Sequence, residues 1–229
     1  MSDNTMTARP EIPLQNFVPV ALFVLSGAVY MALDASGVEA LWMAGLKIVP
    51  IALLAGLAAR HLRGLDRALA LAALAFSATG DVLLAVTFPN HFLFGLGAFL
   101  LAQLTYAGNF LRGAQASSRH FALRGAAVVL AALLLARQVL PAAGEMALPV
   151  VFYIVAIVTM ALSAAAHRSG SSLLFAGAVT FMVSDALIAL NRFVAPVAMA
   201  GTWIMLTYYL AQALLVLGLI RANLPARRA

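Results

Sequence analysis

Cysteine is absent from the chain, so neither a disulfide nor a thiolate metal site is open to it. Charge is scarce as well. Asp, Glu, Lys and Arg make up 10% of the residues and hydrophobic types 64%, whereas a soluble domain carries roughly 25% charged residues. An ordinary water-facing enzyme is thereby excluded, and a polytopic membrane protein is expected. The formal net charge of +6 would suit a nucleic acid, but the arginines sit in short clusters between apolar runs, where basic residues set topology. No nucleic-acid partner is expected. Residues 1–16 hold Pro10, Pro13 and scattered charges ahead of the first apolar run and read as a short tail, not as a cleaved signal peptide.

What the chain does have is about eight apolar runs of spanning length, near 17–34, 41–60, 68–87, 92–111, 121–140, 147–166, 171–190 and 201–220. The connections are short and punctuated by Gly37, Gly64, Pro89, Gly113, Pro141, Gly144, Gly170 and Pro196. The expected fold is therefore all-α: a bundle of about eight transmembrane helices over 17–220, followed by a basic tail over 221–229. One side of the membrane receives Arg9, Arg60, Arg63, Arg67, Arg112, Arg119, Arg124, Arg168, Arg221, Arg227 and Arg228. The other receives only Arg137 and Arg192. The positive-inside rule then puts both termini in the cytoplasm, as an even number of crossings requires.

Two aspartates break the apolar pattern. Asp81, in Ser77-Ala-Thr-Gly-Asp81-Val-Leu-Leu-Ala85, and Asp185, in Val183-Ser-Asp185-Ala-Leu-Ile-Ala189, each lie near the C-terminal end of a run, and no other acid is read within one. A carboxylate at that depth costs a few kcal/mol or more, so it calls for a function and a partner. The obvious partner of each is the other. At about 1.5 Å per residue, Asp81, Asp185, Lys47 and Tyr153 all lie within roughly 10 Å of the non-cytoplasmic boundary. Gln103, Tyr106, Tyr208, Tyr209 and Gln212 lie a turn or two deeper. One cavity open toward that leaflet is permitted.

A short internal repeat points the same way. Gly-Asp81 followed by Leu101-Ala-Gln103 is matched by Ser-Asp185 followed by Leu210-Ala-Gln212, four crossings on, as in a parallel four-helix repeat with its site at the repeat interface. Two carboxylates at one level repel when both are ionised, so one is expected to hold its proton near neutral pH and serve as an acid. Asp81, near Ser77 and Thr79, is the expected carboxylate; Asp185, flanked by Val183, Ala186 and Leu187, is the expected acid.

The other polar residues each admit a plainer role. The aspartates could simply pair with Lys47 or an arginine to fix helix packing. Lys47, three residues before Pro50, either snorkels to the headgroups or meets a phosphate or an aspartate. Ser77, one turn before Asp81, could bond it or merely let helices approach. Tyr153, Tyr208 and Tyr209 could be cavity donors or packing. Asn191, Arg192 and Phe193 close the seventh helix, with Arg192 an interfacial anchor or a headgroup contact. His61, His91, His120 and His167 all fall at helix ends or in loops, which argues against a metal held inside the bundle.

Phe76-Ser-Ala-Thr-Gly-Asp81-Val-Leu-Leu84, Pro149-Val-Val-Phe-Tyr153 with Met160, Phe181-Met-Val-Ser-Asp185 through Phe193, and Thr207-Tyr-Tyr-Leu-Ala-Gln212 together resemble the YhhN family, which includes the vertebrate lysoplasmalogenases. The resemblance runs from about the second helix to the eighth. Two departures stand out: the chain separates Lys47 from Pro50, where the family pattern has an adjacent lysine-proline pair, and it has Gln103 where a histidine is common. The resemblance implies an eight-helix hydrolase, without cofactor or metal, in a bacterial inner membrane. Its substrate would be a lysophospholipid drawn from the surrounding lipids, cleaved at a vinyl ether bond to a fatty aldehyde and a glycerophospho-ethanolamine or glycerophosphocholine. Asp81 and Asp185 would be catalytic, and Lys47, Ser77, Gln103, Tyr153, Asn191, Tyr208 and Gln212 would bind substrate. Vinyl ether hydrolysis needs an acid to protonate the β-carbon and a carboxylate to stabilise the resulting cation. Activity is accordingly expected to survive EDTA; loss on chelation, restored by a divalent ion, would mean the site was misread.

A proton-coupled transporter is the competing reading, because paired intramembrane aspartates also serve proton relays. Its sign would be helices broken at the midplane.

Overall fold

A computed structural model describes residues 17–115, 119–167 and 172–223. Among the described residues there are eight α-helices: α1 (Phe17–Ala35), α2 (Leu41–His61), α3 (Gly64–Ala85), α4 (His91–Leu111), α5 (Arg119–Val139), α6 (Ala147–Ala165), α7 (Ser172–Ala189) and α8 (Ala200–Asn223). All eight segments are long and apolar enough to cross a bilayer. Their outward faces carry exposed Leu22, Leu25, Leu130, Leu133, Phe152 and Val155, as lipid contact demands.

The helix ends differ from the sequence reading where charge is tolerated. α3 begins at Gly64, four residues before 68, because Asp66 sits favourably in its first turn and meets Arg112 Nε at 3.2 Å. α8 runs to Asn223, three residues into the expected tail. Asp34 lies in the last turn of α1. Contrary to the expectation of only two acids within the spans, Asp34 and Asp66 also lie in helices, in end turns where charge is tolerated. Residues 1–16, Arg168, Gly170, Arg227 and Arg228, on which part of the topology rests, lie outside the described residues.

Consecutive helices pack side by side, α1 on α2, α2 on α3, α3 on α4, α5 on α6, α6 on α7 and α7 on α8. The chain closes on itself through α8 against α1 and α2, and through α6 against α4. α5 is the outlying member, resting mainly on α6 and only lightly on α7. The closest approach is between α7 and α8. A Cβ added at Gly177 would meet Leu215 N at 2.9 Å, and one at Gly218 would meet Leu174 N at 2.9 Å, so two glycines facing opposite ways let the backbones touch. Gly177→Val is expected to destabilise the bundle by about 1–3 kcal/mol, read as a lower unfolding temperature in detergent. An unchanged temperature would show that the two helices can separate at no cost.

Pro50 sits inside α2 without ending it. Its missing N–H leaves the Leu46 carbonyl without its usual helical donor. On the adjacent residue, Tyr209 OH donates to the Lys47 carbonyl at 2.8 Å, tying α8 to α2 beside the kink-prone turn.

Candidate active site

Six helices supply two carboxylate clusters at one end of the bundle. In the first, Asp81 on α3 is buried, 1% exposed, with Lys47 Nζ of α2 3.4 Å from Oδ1 and Tyr208 OH of α8 donating to Oδ2 at 2.7 Å. Lys47 therefore turns inward and does not snorkel. Ser77 does not bond Asp81: its Oγ accepts from Gln212 Nε2 at 2.9 Å, while Tyr106 OH donates to Gln212 Oε1 at 2.8 Å. Thr79 adds nothing to this neighbourhood either, since its hydroxyl bonds the Ala75 carbonyl on an exposed face of α3.

In the second cluster, Asp185 on α7 accepts two hydrogen bonds on the same oxygen, Oδ2: Gln103 Nε2 of α4 at 2.8 Å and Tyr153 OH of α6 at 2.7 Å. Among the described residues Oδ1 accepts none. Gln103 itself is fully buried, and its Oε1 has no hydrogen-bond partner among the described residues. An amide that is satisfied at one end and orphaned at the other is uncommon in a packed interior.

The direct partnership of the two aspartates expected from the sequence is not formed among the described residues. Each carboxylate takes its donors from other helices, and the donors are exchanged: Gln103, downstream of Asp81, serves Asp185, while Gln212, downstream of Asp185, serves Ser77 beside Asp81. Hydrogen bonds to partners across the bundle relieve the desolvation that two facing carboxylates would have worsened.

Between α4, α5, α6 and α7 lies an apolar cavity of about 430 Å³. Phe92, Phe99, Val128, Ile157, Phe175 and Phe193 mark its extent, and Tyr153 and Asp185 are the only polar residues lining it among the described residues. Along α7 it runs from Phe175 past Asp185 to Phe193, so about 15 Å of helix rise lies on the side of Asp185 toward Phe175. The wall opposite is α5, whose Ala127, Ala131 and Ala132 hold space open by being small. The sequence reading gave α5 no part, because a wall of alanines carries no polar signal. The alanine spacing was the only available sign.

The remaining sequence candidates fall outside this cavity. Lys47, Ser77, Tyr208 and Gln212 belong to the Asp81 cluster, and Gln103 meets the cavity lining at Asp185 without lining the cavity itself. Asn191 is exposed, and its Oδ1 accepts from Val197 N at 2.9 Å, which makes it a loop brace. Asp81 reaches the cavity wall through aromatic packing. Tyr208, its donor, lies edge-on to Phe99 with centroids 5.7 Å apart, and Phe99 lines the cavity. A Cβ on Gly80 would stand 2.6 Å from the Phe99 ring, so the residue before Asp81 has to be this small for the ring to lie there. No break at the midplane of α3 or α7 is present, so the sign of a transporter is missing among the described residues.

The YhhN family model matches residues 42–219, which span both clusters and the cavity. The chain belongs to the YhhN family. Several curated relatives are similar to this YhhN chain. A Mycobacterium tuberculosis protein named lysoplasmalogenase is 37% identical over 147 residues, 62% of this chain and 56% of that protein. Its Mycobacterium bovis counterpart matches to the same degree. The chain thus spans little more than half the length of these mycobacterial relatives. Human lysoplasmalogenase TMEM86B is 34% identical over 208 residues, 89% of this chain and 87% of the human protein. No solved structure matches.

Proposed function

We propose that this YhhN protein is a multi-pass hydrolase that cleaves the vinyl ether bond of lysoplasmalogen-type lipids, with Asp185 as its acid. The observation that carries the reading is the position of Asp185, the one carboxylate among the described residues lining an apolar cavity of about 430 Å³. The names of the relatives, at 34–37% identity, supply the reaction class.

The reaction adds water across R–CH=CH–O–R′ and releases R–CH2–CHO and R′–OH. With both protein donors on Oδ2, a proton on Asp185 would sit on Oδ1, the oxygen left free of them. Its transfer to the β-carbon forms a C–H bond and leaves an oxocarbenium ion conjugated to the ether oxygen. Asp185, now a carboxylate, lies beside that cation and takes a proton from the water that attacks the α-carbon. The hemiacetal so formed then collapses, its hydroxyl proton passing to the departing glycerol oxygen. Gln103 Nε2 and Tyr153 OH, both donating to Oδ2, hold the Asp185 carboxyl in place against the cavity.

Asp81 belongs to the reading as the ionised member, stabilised by Lys47 and Tyr208. Behind Phe99 it is the negative end of the Lys47–Asp81 dipole, which favours the cation, an effect strengthened by the low dielectric of the bundle. The exchanged glutamines are what a parallel four-helix repeat would produce, and the repeat remains part of this reading. So do placement in a bacterial inner membrane and cytoplasmic termini, which rest on the arginine distribution.

The decisive experiment incubates purified protein in detergent with a 1-alkenyl lysophospholipid and, separately, with its 1-acyl counterpart. Aldehyde from the first and no fatty acid from the second is the expected result. Absence of aldehyde would end the proposal.

A further inference from the structure

Past Ala189 the last turn of α7 changes to a π-helix over Leu190–Val194. Such turns are rare and alter the direction in which side chains leave the helix. Here the turn carries Arg192, whose guanidinium lies 4.9 Å from the centroid of the Phe92 ring. Phe92 in turn meets Phe193 edge-on, with centroids 5.9 Å apart, and both rings line the end of the apolar cavity. Arg192 itself is exposed, and the two ion pairs among the described residues, Lys47 with Asp81 and Arg112 with Asp66, do not involve it. Stacking on one ring face leaves the N–H edges of the guanidinium free to donate.

We propose that Arg192, stacked on Phe92 at the mouth of the cavity, binds the phosphodiester group of the lipid whose chain fills it. This rests on reading the cavity as the lipid site. The spacing supports it. Arg192 is seven residues beyond Asp185, roughly 10 Å along the helix axis. In a 1-alkenyl lysophospholipid seven bonds separate the β-carbon from phosphorus, an extended reach of roughly 9 Å at bond lengths near 1.5 Å. With phosphate at Arg192, the vinyl ether falls beside Asp185 and the tail runs toward Phe175. A planar fork of donors suits a phosphodiester, whose charge is spread over two oxygens. Arg192 is thereby a specificity-determining residue, and the site selects lipids with an anionic phosphate over neutral alkenylglycerols.

The test uses full-length protein in detergent free of phospholipid and measures binding, not turnover. The probes are 1-alkyl-glycerophosphocholine, a saturated ether with no alkene to protonate, and 1-alkylglycerol of the same chain length. The unaltered protein is expected to bind the phosphodiester at least about tenfold more tightly than the glycerol, a difference of about 1.4 kcal/mol. R192A should bring the two affinities within about threefold of each other, and R192K, which keeps a charge without the fork, should fall between. F92L, which keeps the arginine and removes its ring, should also lower the ratio. A ratio unchanged in R192A would reduce Arg192 to an interfacial anchor and overturn the proposal; so would an equal loss for both lipids. Because neither probe is cleaved, a failure to find aldehyde with the vinyl ether substrate would sink the reaction assignment and leave this measurement intact.

Discussion

Asp185→Asn is expected to lower turnover of a vinyl ether lysophospholipid by about 10²–10⁴-fold, the range over which a positioned acid contributes. The folded state should survive. Asparagine keeps a side-chain oxygen to accept from Tyr153 OH and Gln103 Nε2, so neither buried donor is orphaned and the unfolding temperature in detergent should hardly move. Loss of turnover with intact structure separates a chemical role from a packing one. The unaltered enzyme supplies the companion result. In heavy water one deuterium must appear on the carbon next to the aldehyde, because that is where the new C–H bond forms, and an esterase forms no such bond. If the donor is one fixed carboxyl, the label should arrive on a single face of the alkene. The aldehyde has to be trapped quickly, before exchange through its enol. Trapped aldehyde without deuterium would exclude protonation at carbon; full turnover in Asp185→Asn would exclude Asp185 as the source.

Lys47→Met is expected to be the most destabilising single change in the bundle. It leaves Asp81 buried with only Tyr208 to support it, and breaking a buried ion pair from one side costs about 3–5 kcal/mol. Asp81→Asn should be harmful in the mirror sense, stranding the ammonium of Lys47 instead. The double variant Lys47→Met with Asp81→Asn removes both charges together, so its unfolding temperature should return most of the way. Its turnover should stay low, because the Lys47–Asp81 dipole behind Phe99 that favours the oxocarbenium ion is gone. The four proteins form a cycle in which stability and activity part company. If the double variant regained full turnover, Asp81 would be a packing residue and Asp185 would work alone. If it remained as unstable as Lys47→Met, the pair would not be what holds α2 to α3 at this level.

The comparison of these two aspartates shows where sequence reading ends. Eight spans, their approximate limits and the two carboxylates set deep in apolar runs follow from hydropathy alone, because bilayer thickness dictates helix length and a buried charge is costly. The common level of Lys47, Asp81, Tyr153 and Asp185 follows from counting residues along helices of known rise. Which of them touch is a different matter. Depth is a coordinate along the bundle axis, and sequence carries little about the other two. Hence Asp81 and Asp185 could be assigned one level and read as each other's partners, when lateral packing gives Asp81 to Lys47 and Tyr208 and Asp185 to Tyr153 and Gln103. The cavity is a further product of packing alone. Its α5 wall of Ala127, Ala131 and Ala132 looks like any other apolar helix surface until α6 and α7 are set beside it. Asn191 and Arg192 are adjacent in sequence and were weighed together; a π-turn, which no residue pattern announced, leaves one bracing the Val197 backbone and lays the other on Phe92. Composition and periodicity thus determined that this chain is a membrane bundle with two costly carboxylates. Only tertiary packing decided that one of them faces an apolar cavity while the other is ion-paired behind its wall, because that depends on which faces of six helices meet.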